Sequence, residues 1–266
     1  MSHQAGANIV SVRIVVLTYN RPVSLHRLLR SLQTADYTFP LAPPWRRVLE
    51  VRVDGGVGPD WERTVSLARG FRFTAGEVEV VVEDEHHGVE DAWPWRHAWT
   101  WREGELFVIL EDDVEVSRFW YRGLVNMWIK YGSYPQMSGA ALQQQTFSVT
   151  GDSRTDLNIS SLVSSPVYFY QLPSSVGLSP HPCHWTRMMA QHGHQLGSCP
   201  ASMQCWGQVW ESWWLQYNTD NLLFTLYTAA QGGLAVDHRE AGYHHQETQL
   251  TSFETIEIPT ELLIAL

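Results

Sequence analysis

The sequence predicts an α/β fold in which a mixed, mostly parallel sheet is flanked by helices. Apolar, β-branched runs alternate with segments of helical periodicity along the first half of the chain, a pattern typical of right-handed βαβ units. Apolar residues make up 44% and aromatic residues 12% of the 266 residues, which is enough for a large core and excludes a disordered chain. The length favours one large domain or two tightly joined ones, and we expect a single compact domain with two halves, 1–132 and 133–266.

The first half contains the clearest elements. The predicted strands are residues 11–17, 48–53, 78–82 and 106–110. Helical spacing of apolar residues follows in three places: after Pro22, from Pro59 to about Phe71, and over residues 117–131. The segment 86–102 is rich in Trp and His, and we expect it to be helical in part.

The second half has a weaker pattern. Residues 138–182 are rich in Ser, Pro, Gly and Gln, so we expect loops and short strands there. The sequence then predicts a helix over residues 183–196, Trp-rich helical segments over 206–231 and a strand at Leu234–Val236.

The net charge of −10 is unevenly distributed along the chain. Residues 1–72 hold ten Arg and five acids, a net charge of +5, whereas residues 73–266 hold eight basic residues and 23 acids, a net charge of −15. Binding of nucleic acid needs a high density of basic residues, so we expect no nucleic-acid partner. An arginine cluster in an acidic chain suits a small anion better, because guanidinium pairs with phosphate or carboxylate. Genome composition is the alternative explanation for the excess of Arg over Lys.

Polar residues follow all four predicted strands at the point where each strand ends. They are Thr18, Asn20, Arg21, Asp54, His86, His87, Glu111, Asp112 and Asp113. The carboxyl ends of parallel strands meet at one edge of the sheet, where open α/β sheets bind their ligands. We therefore expect these side chains to converge on one site.

The acidic triplet Glu111–Asp113 ends a strand of the buried type. Three neighbouring carboxylates repel one another unless a cation offsets their charge, and Mg²⁺ and Mn²⁺ take carboxylate oxygens as ligands. Such ions also bind ligand phosphates. A solvated acidic turn is the alternative interpretation of the triplet.

Two further residues suit a nucleotide. Asp54 precedes Gly55 and Gly56, so it either forms a turn or accepts a hydrogen bond from the imide N–H of a base. Arg21 and Arg27 lie near a predicted helix N-terminus, whose free N–H groups help to bind a diphosphate. The sequence contains neither the GxGxxG motif of dinucleotide-binding folds nor a P-loop, which argues against both of those classes.

The Trp, His and Cys residues allow more than one interpretation. The Trp clusters at 93–101 and 206–214 either pack in the core or form a platform for a sugar. His245, after the last predicted strand, either binds a metal or phosphate or is structural. The His and Cys residues over 181–194 match no standard zinc site. An odd number of cysteines excludes a disulfide framework and leaves one bridge possible among Cys183, Cys199 and Cys205.

Four motifs in order resemble those of a known enzyme family. They are Thr18-Tyr19-Asn20-Arg21-Pro22, Val53-Asp54-Gly55, His86-His87-Gly88 and Glu111-Asp112-Asp113-Val114-Glu115-Val116. Over residues 11–130 they look like nucleotide-sugar glycosyltransferases of the Rossmann-like GT-A fold, of the N-acetylglucosaminyltransferase I type or family 2-like. The resemblance implies a metal-dependent enzyme that transfers a hexose from a nucleotide-diphosphate sugar to a hydroxyl acceptor. The expected donor is a UDP-sugar, and the expected reaction inverts the configuration at the anomeric carbon.

The resemblance also implies roles for single residues. The residues expected to bind the nucleotide are Thr18, Asn20, Arg21, Asp54, His86, His87, Glu111 and Asp112. Among them, Arg21 would contact the diphosphate or the base, Asp54 the uracil ring, and His86 or His87 the uridine. Glu111 and Asp112 would touch ribose, sugar or metal-bound water. The resemblance makes Asp113 of the DXD-type motif a ligand of Mn²⁺ or Mg²⁺, and His245 is a second expected ligand because of its position after the last predicted strand.

An inverting reaction needs a carboxylate base that removes the proton of the acceptor hydroxyl. Glu211 and Asp220 are the candidates, and Glu240 is a third candidate of lower rank. Glu211 lies among tryptophans, where desolvation would raise its pKa toward a useful range. Asp220 alternatively caps the following helix. These candidates would place acceptor binding in residues 133–266 and donor binding in residues 1–132.

Two other functions fit the same residues. One is a catalytically silent GT-A-like or Trp-rich carbohydrate-binding protein, and the other is a nucleotidyltransferase. The latter ranks last, because it would need a Gly-rich basic loop after the first strand. The acceptor is a glycan, a protein or a lipid. No apolar stretch reaches the length of a membrane span, so the chain as written predicts a cytoplasmic protein, or a Golgi lumenal one if a targeting segment lies outside it.

Overall fold

The computed structural model describes residues 9–38, 45–88, 104–143, 147–150, 153–156, 167–170, 177–192, 209–228 and 234–236. The strands are β1 (Ser11–Thr18), β2 (Arg46–Val53), β3 (Glu77–Val82), β4 (Glu105–Glu111), β5 (Val114–Val116), β6 (Met137–Ala141), β7 (Phe147–Thr150), β8 (Ser153–Asp156), β9 (Val167–Tyr170), β10 (Leu178–Pro180), β11 (Phe224–Thr228) and β12 (Leu234–Val236). The helices are α1 (Pro22–Thr34), α2 (Pro59–Gly70), α3 (Trp120–Tyr131), α4 (Pro182–His192) and α5 (Val209–Asp220).

The main sheet contains four parallel strands in the order β3-β2-β1-β4. The register pairs Thr18 with Val53 and Leu17 with Glu111, so β1, β2 and β4 end at nearly the same level. A second sheet has the order β10-β6-β11-β9, and the short strands β5 and β12 pair antiparallel. The predicted α/β class with a mixed, mostly parallel sheet is confirmed, and the polar segments that follow the parallel strands meet at one edge.

Helices cover the main sheet on both faces. On one face, Ile14 of β1 belongs to a core that includes the leucines of α1 and Trp120 of α3. On the other face, Val15 belongs to a core that includes Trp185 of α4 and Trp214 of α5. Both faces of β1 are buried, which explains why its residues 14–17 form a continuous apolar run. Within the described ranges, no helix combines the length and the apolarity that crossing a membrane requires.

A buried arginine links the four strands of the main sheet. Arg13 of β1 is 5% exposed. Its guanidinium group contacts three carboxylates from the other strands, Glu50 at 2.7 Å, Glu79 at 2.6 Å and Glu105 at 3.2 Å. Burial by itself lowers the pKa of Arg13, but these carboxylates outweigh burial and raise its pKa above the usual value. Arg13 therefore stays charged and ties β1 to β2, β3 and β4, a role that the sequence pattern did not predict.

The largest difference from the predicted elements lies in residues 206–231. The helical prediction is confirmed for α5 and wrong for Phe224–Thr228, which form β11. Leu222, between the two elements, has a φ of 54°, a left-handed conformation that does not continue a helix. Aromatic and β-branched residues then favour a strand. Residues 89–102 of the segment predicted to be partly helical lie outside the described residues.

Candidate functional site

A hydrogen bond joins the ends of β1 and β4. Thr18 is the last residue of β1, and Asp112 directly follows β4. Both are buried, with exposures of 4% and 0%. The Thr18 hydroxyl donates to Oδ2 of Asp112 over 2.6 Å, which orients the middle carboxylate of the acidic motif.

Arg21 brings positive charge to the acidic motif. It directly precedes α1, and its guanidinium nitrogens lie 2.6 Å from Oδ1 of Asp112 and 3.3 Å from Oδ2 of Asp113. Burial by itself lowers the pKa of Arg21, but the carboxylates of Asp112, Asp113 and Glu111 outweigh burial and raise it above the usual value. A cation at a helix N-terminus is unfavourable by itself, so the two aspartates account for its position there. The N-terminal motif and the acidic motif therefore form one charged group.

Asp54 ties the end of β2 to the segment after β3. Its Oδ1 accepts hydrogen bonds from the N–H groups of Gly55 at 2.9 Å and His87 at 3.0 Å. Its Oδ2 accepts the N–H of Gly88 at 3.0 Å and lies 2.8 Å from Nδ1 of His86. The residue as a whole is 2% exposed. Asp54 therefore holds the 86–88 motif in place.

Aromatic rings lie beside this motif. The rings of Tyr19 and His86 are stacked, with centroids 4.4 Å apart. Trp61 of α2 donates its indole N–H to the carbonyl of Asp54 over 2.8 Å. A Cβ at Gly56 would lie 2.6 Å from the ring of Tyr19, so glycine permits this close approach. Neither Tyr19 nor Trp61 was predicted to belong to the site, although Tyr19 lies inside the first motif.

The acidic motif can supply ligands to a metal ion without forming a closed metal site. Asp113 is 7% exposed, and Glu111, the last residue of β4, is partly exposed. Among the described residues, no three His, Cys, Asp or Glu side chains are grouped as a metal site. Mg²⁺ usually takes one or two carboxylates together with waters and substrate phosphates, and this motif fits that pattern. His245, the other predicted ligand, lies outside the described residues. Asn20, which was expected to bind the nucleotide, is exposed and lies just after the end of β1.

The two candidates for the catalytic base lie at opposite ends of α5. Glu211 is near the start of α5, and its side chain belongs to the part of the chain that is not described. Asp220 is the last residue of α5, is exposed, and accepts a hydrogen bond of 2.6 Å from Nε2 of Gln216. Nine helical steps separate the two acids, a rise of about 13 Å. They therefore cannot serve the same reacting atoms.

Several Trp and His residues of the second half have core positions. Trp213 and Trp214 are 8% and 0% exposed and pack against β1 and β4, which confirms the core interpretation for these two. Nδ1 of His184 lies 3.2 Å from the hydroxyl of Tyr217, and both residues are buried. Cys183 is exposed with a free thiol. The residues outside the described ranges include Trp93, Trp95, Trp99, Trp101, Trp206, Cys199, Cys205 and Glu240.

Comparison with known proteins shows the fold. No protein-family model and no curated protein sequence matches the chain. TarS of S. aureus is similar with a TM-score of 0.56 at 13% identity, over 85% of this chain and 36% of that one. GalNAc-T7, solved with UDP, GalNAc and Mn²⁺, is similar with a TM-score of 0.56 at 14% identity, over 84% of this chain and 42% of that one. The chain thus spans about two fifths of these structures and has the GT-A glycosyltransferase fold.

Proposed function

We propose that the chain is a metal-dependent glycosyltransferase that moves a sugar from a nucleotide diphosphate to a hydroxyl acceptor. The observation that carries the proposal is the convergence of chain segments at the carboxyl edge of the main sheet. Thr18 and Arg21 contact the acidic motif at the end of β4. Asp54 holds the 86–88 motif beside them, after the neighbouring strand β2. Open α/β sheets bind their ligands at this edge.

The charge of the site supports a metal-bound diphosphate. Glu111, Asp112 and Asp113 carry three negative charges, whereas Arg21 carries one positive charge, so the group has a formal charge of −2. This group would repel a nucleotide diphosphate unless a divalent cation lay between them. Asp113 would hold that ion together with the diphosphate oxygens. The ion would neutralise the charge that develops on the leaving diphosphate.

A uridine nucleotide is the first donor to consider. GalNAc-T7 was solved with UDP, and the stacked pair of Tyr19 and His86 offers an aromatic face beside the site. A carboxylate has about four acceptor positions, and Asp54 uses three of them for backbone N–H groups. Direct contact between Asp54 and the imide N–H of uracil therefore requires His86, whose side chain is 53% exposed, to release Oδ2.

Glu211 is the first candidate for the base of an inverting reaction, and Asp220 is the second. The helix that carries both packs through Trp214 against β1 and β4, whose ends carry the proposed donor site. Replacing the base by an uncharged isostere should lower turnover by about 10²–10⁴-fold and leave UDP binding unchanged. We expect this result for Glu211→Gln and not for Glu62→Gln, an exposed control on α2. Wild-type turnover in Glu211→Gln would reject Glu211 as the base.

The first experiment is a screen of nucleotide sugars with Mn²⁺ that measures released nucleotide. Calorimetry then compares UDP affinity with and without Mn²⁺ in the wild type, in Asp113→Ala and in Asp60→Ala, a control whose side chain is 63% exposed. We expect Mn²⁺ to tighten UDP binding in the wild type and the control but not in Asp113→Ala. The proposal fails if Mn²⁺ has no effect on UDP binding and Asp113→Ala behaves like the wild type.

A catalytically silent carbohydrate-binding protein is the second candidate function. Arg21 already contacts Asp112 and Asp113, so part of the charge of the acidic motif is offset without a metal ion, as a silent protein would require. The same screen separates the two candidates. UDP binding with no hydrolysis or transfer of any sugar would support the silent protein, whereas nucleotide release that depends on Mn²⁺ and Asp113 would support the enzyme.

A further inference from the structure

A cavity of about 820 Å³ shares none of its lining residues with the candidate nucleotide site. One wall is the side of α1 between His26 and Thr34, and the other is the segment 115–119, which leads from β5 to α3. Small-molecule sites in proteins have volumes of roughly 300–1,000 Å³, so this cavity is large enough for a ligand of the size of a sugar phosphate.

The cavity is positively charged. The lining contains three arginines, Arg27 and Arg30 from α1 and Arg118 from the opposite wall, and one acid, Glu115. Its formal charge is therefore +2, in a chain whose net charge is −10. Arg30 and Arg118 are exposed, and the guanidinium carbon of Arg118 lies 5.3 Å from the centroid of the Phe119 ring. Guanidinium groups that come from two different elements can approach an oxyanion from two sides.

One wall of the cavity contains a buried hydroxyl that has no hydrogen-bond partner in the described part of the chain. Ser117 is 7% exposed, and its Oγ has no partner among the described residues. The hydroxyl of Ser31, on the facing side of α1, has both a donor and an acceptor partner. It donates to the carbonyl of Leu28 over 2.8 Å and accepts the N–H of Val116 over 3.0 Å. These bonds fix the wall that carries Ser117 against α1. A buried hydroxyl without a partner costs free energy, so a ligand atom at Ser117 would remove that cost.

We propose that this cavity binds a small ligand through a phosphate or carboxylate group. Arg30 and Arg118 provide the charge, and the Ser117 hydroxyl donates a hydrogen bond to an anionic oxygen. The site is separate from the one that would hold the donor diphosphate at Arg21 and Asp113. Along the chain, Glu115 of the cavity follows Asp113 by two positions, and no lining residue belongs to the donor site. This inference does not rest on the proposed transferase activity.

The experiment uses calorimetry on the full chain with four probes: inorganic phosphate, glucose 6-phosphate, glucuronate and uncharged glucose. All titrations are made in the wild type, and the arginine variants described below separate binding in the cavity from binding at the nucleotide edge. We expect the anionic probes to bind and glucose not to bind. Tighter binding of glucose 6-phosphate than of phosphate would identify an anionic sugar as the ligand, and equal affinities would identify the free anion.

Two sets of variants test the assignment of residues. Joint replacement of Arg30 and Arg118 by Ala should weaken phosphate binding by at least about tenfold. The control Arg63→Ala, whose side chain is 73% exposed on α2, should leave binding unchanged. Failure of every anionic probe to bind, or binding that survives loss of both arginines, would overturn the proposal. Both results are independent of whether UDP binds.

The hydroxyl has a test of its own. Because the Ser117 Oγ has no partner among the described residues, Ser117→Ala should leave the Tm unchanged or raise it. The same variant should weaken phosphate binding several-fold. Unchanged phosphate affinity in Ser117→Ala would overturn the role of the hydroxyl, and so would a lower Tm, because a lower Tm would mean that the hydroxyl already has a partner within the protein.

Discussion

Replacing Asp54 by Asn should lower the free energy of unfolding by about 2–4 kcal/mol. Asn keeps one acceptor oxygen and turns the other into a donor. The more favourable of the two side-chain amide orientations keeps the hydrogen bonds from the N–H groups of Gly55 and His87 to the amide oxygen. In that orientation the NH₂ group faces the N–H of Gly88, so two donors meet. The half-buried N–H of Gly88 then has no acceptor, which costs about 1–3 kcal/mol. Loss of the negative charge weakens the two remaining bonds and adds about 1 kcal/mol.

Urea unfolding followed by the fluorescence of the 13 tryptophans measures this loss. With an m-value of about 3 kcal/mol per molar for a chain of this size, the midpoint should fall by roughly 1 M. Asp60→Asn, on a side chain that is 63% exposed, is the matched control and should change the free energy by less than about 0.5 kcal/mol. Equal midpoints for the two variants would show that the Asp54 contacts do not hold the 86–88 motif.

Two further substitutions test how the site is built. Thr18→Val removes the hydroxyl that donates to Asp112 and should lower the free energy of unfolding in urea by about 1–3 kcal/mol. Thr18→Ser keeps the donor and should lower this free energy less. Equal losses in the two variants would mean that the hydrogen bond contributes nothing to stability. Gly55→Ala places a Cβ 2.3 Å from the backbone of Glu85 and should cost about 1–3 kcal/mol, whereas Gly70→Ala, with open space around it, should be neutral or stabilising. Equal Tm values for these two variants would contradict the close approach.

The strands of the main sheet were predictable because their signal is local. An apolar, β-branched run shows a buried strand without any knowledge of its neighbours, and β1 and β4 lie within one residue of their predicted bounds at each end. Once parallel pairing is expected, the residues that follow the strands must lie at one edge. This is why Thr18, Arg21 and the acidic motif could be expected to meet, and the structure brings them together.

The partners of individual side chains depend on contacts between distant parts of the chain. Thr18 bonds to Asp112 across 94 positions, and Arg13 reaches Glu105 across 92. Nothing in the pattern of β1 distinguishes Arg13 as the link among four strands.

The sequence by itself determined the α/β class, the strand order along the chain and the edge at which the polar residues gather, because periodicity and chain direction are local properties. The tertiary structure decided which carboxylates Arg21 contacts, that Asp54 holds the 86–88 motif, and that Trp214 lies in the core. Those outcomes depend on how side chains from several elements share one space. Close packing and the pairing of buried charges determine that arrangement, and each is a property of the whole fold.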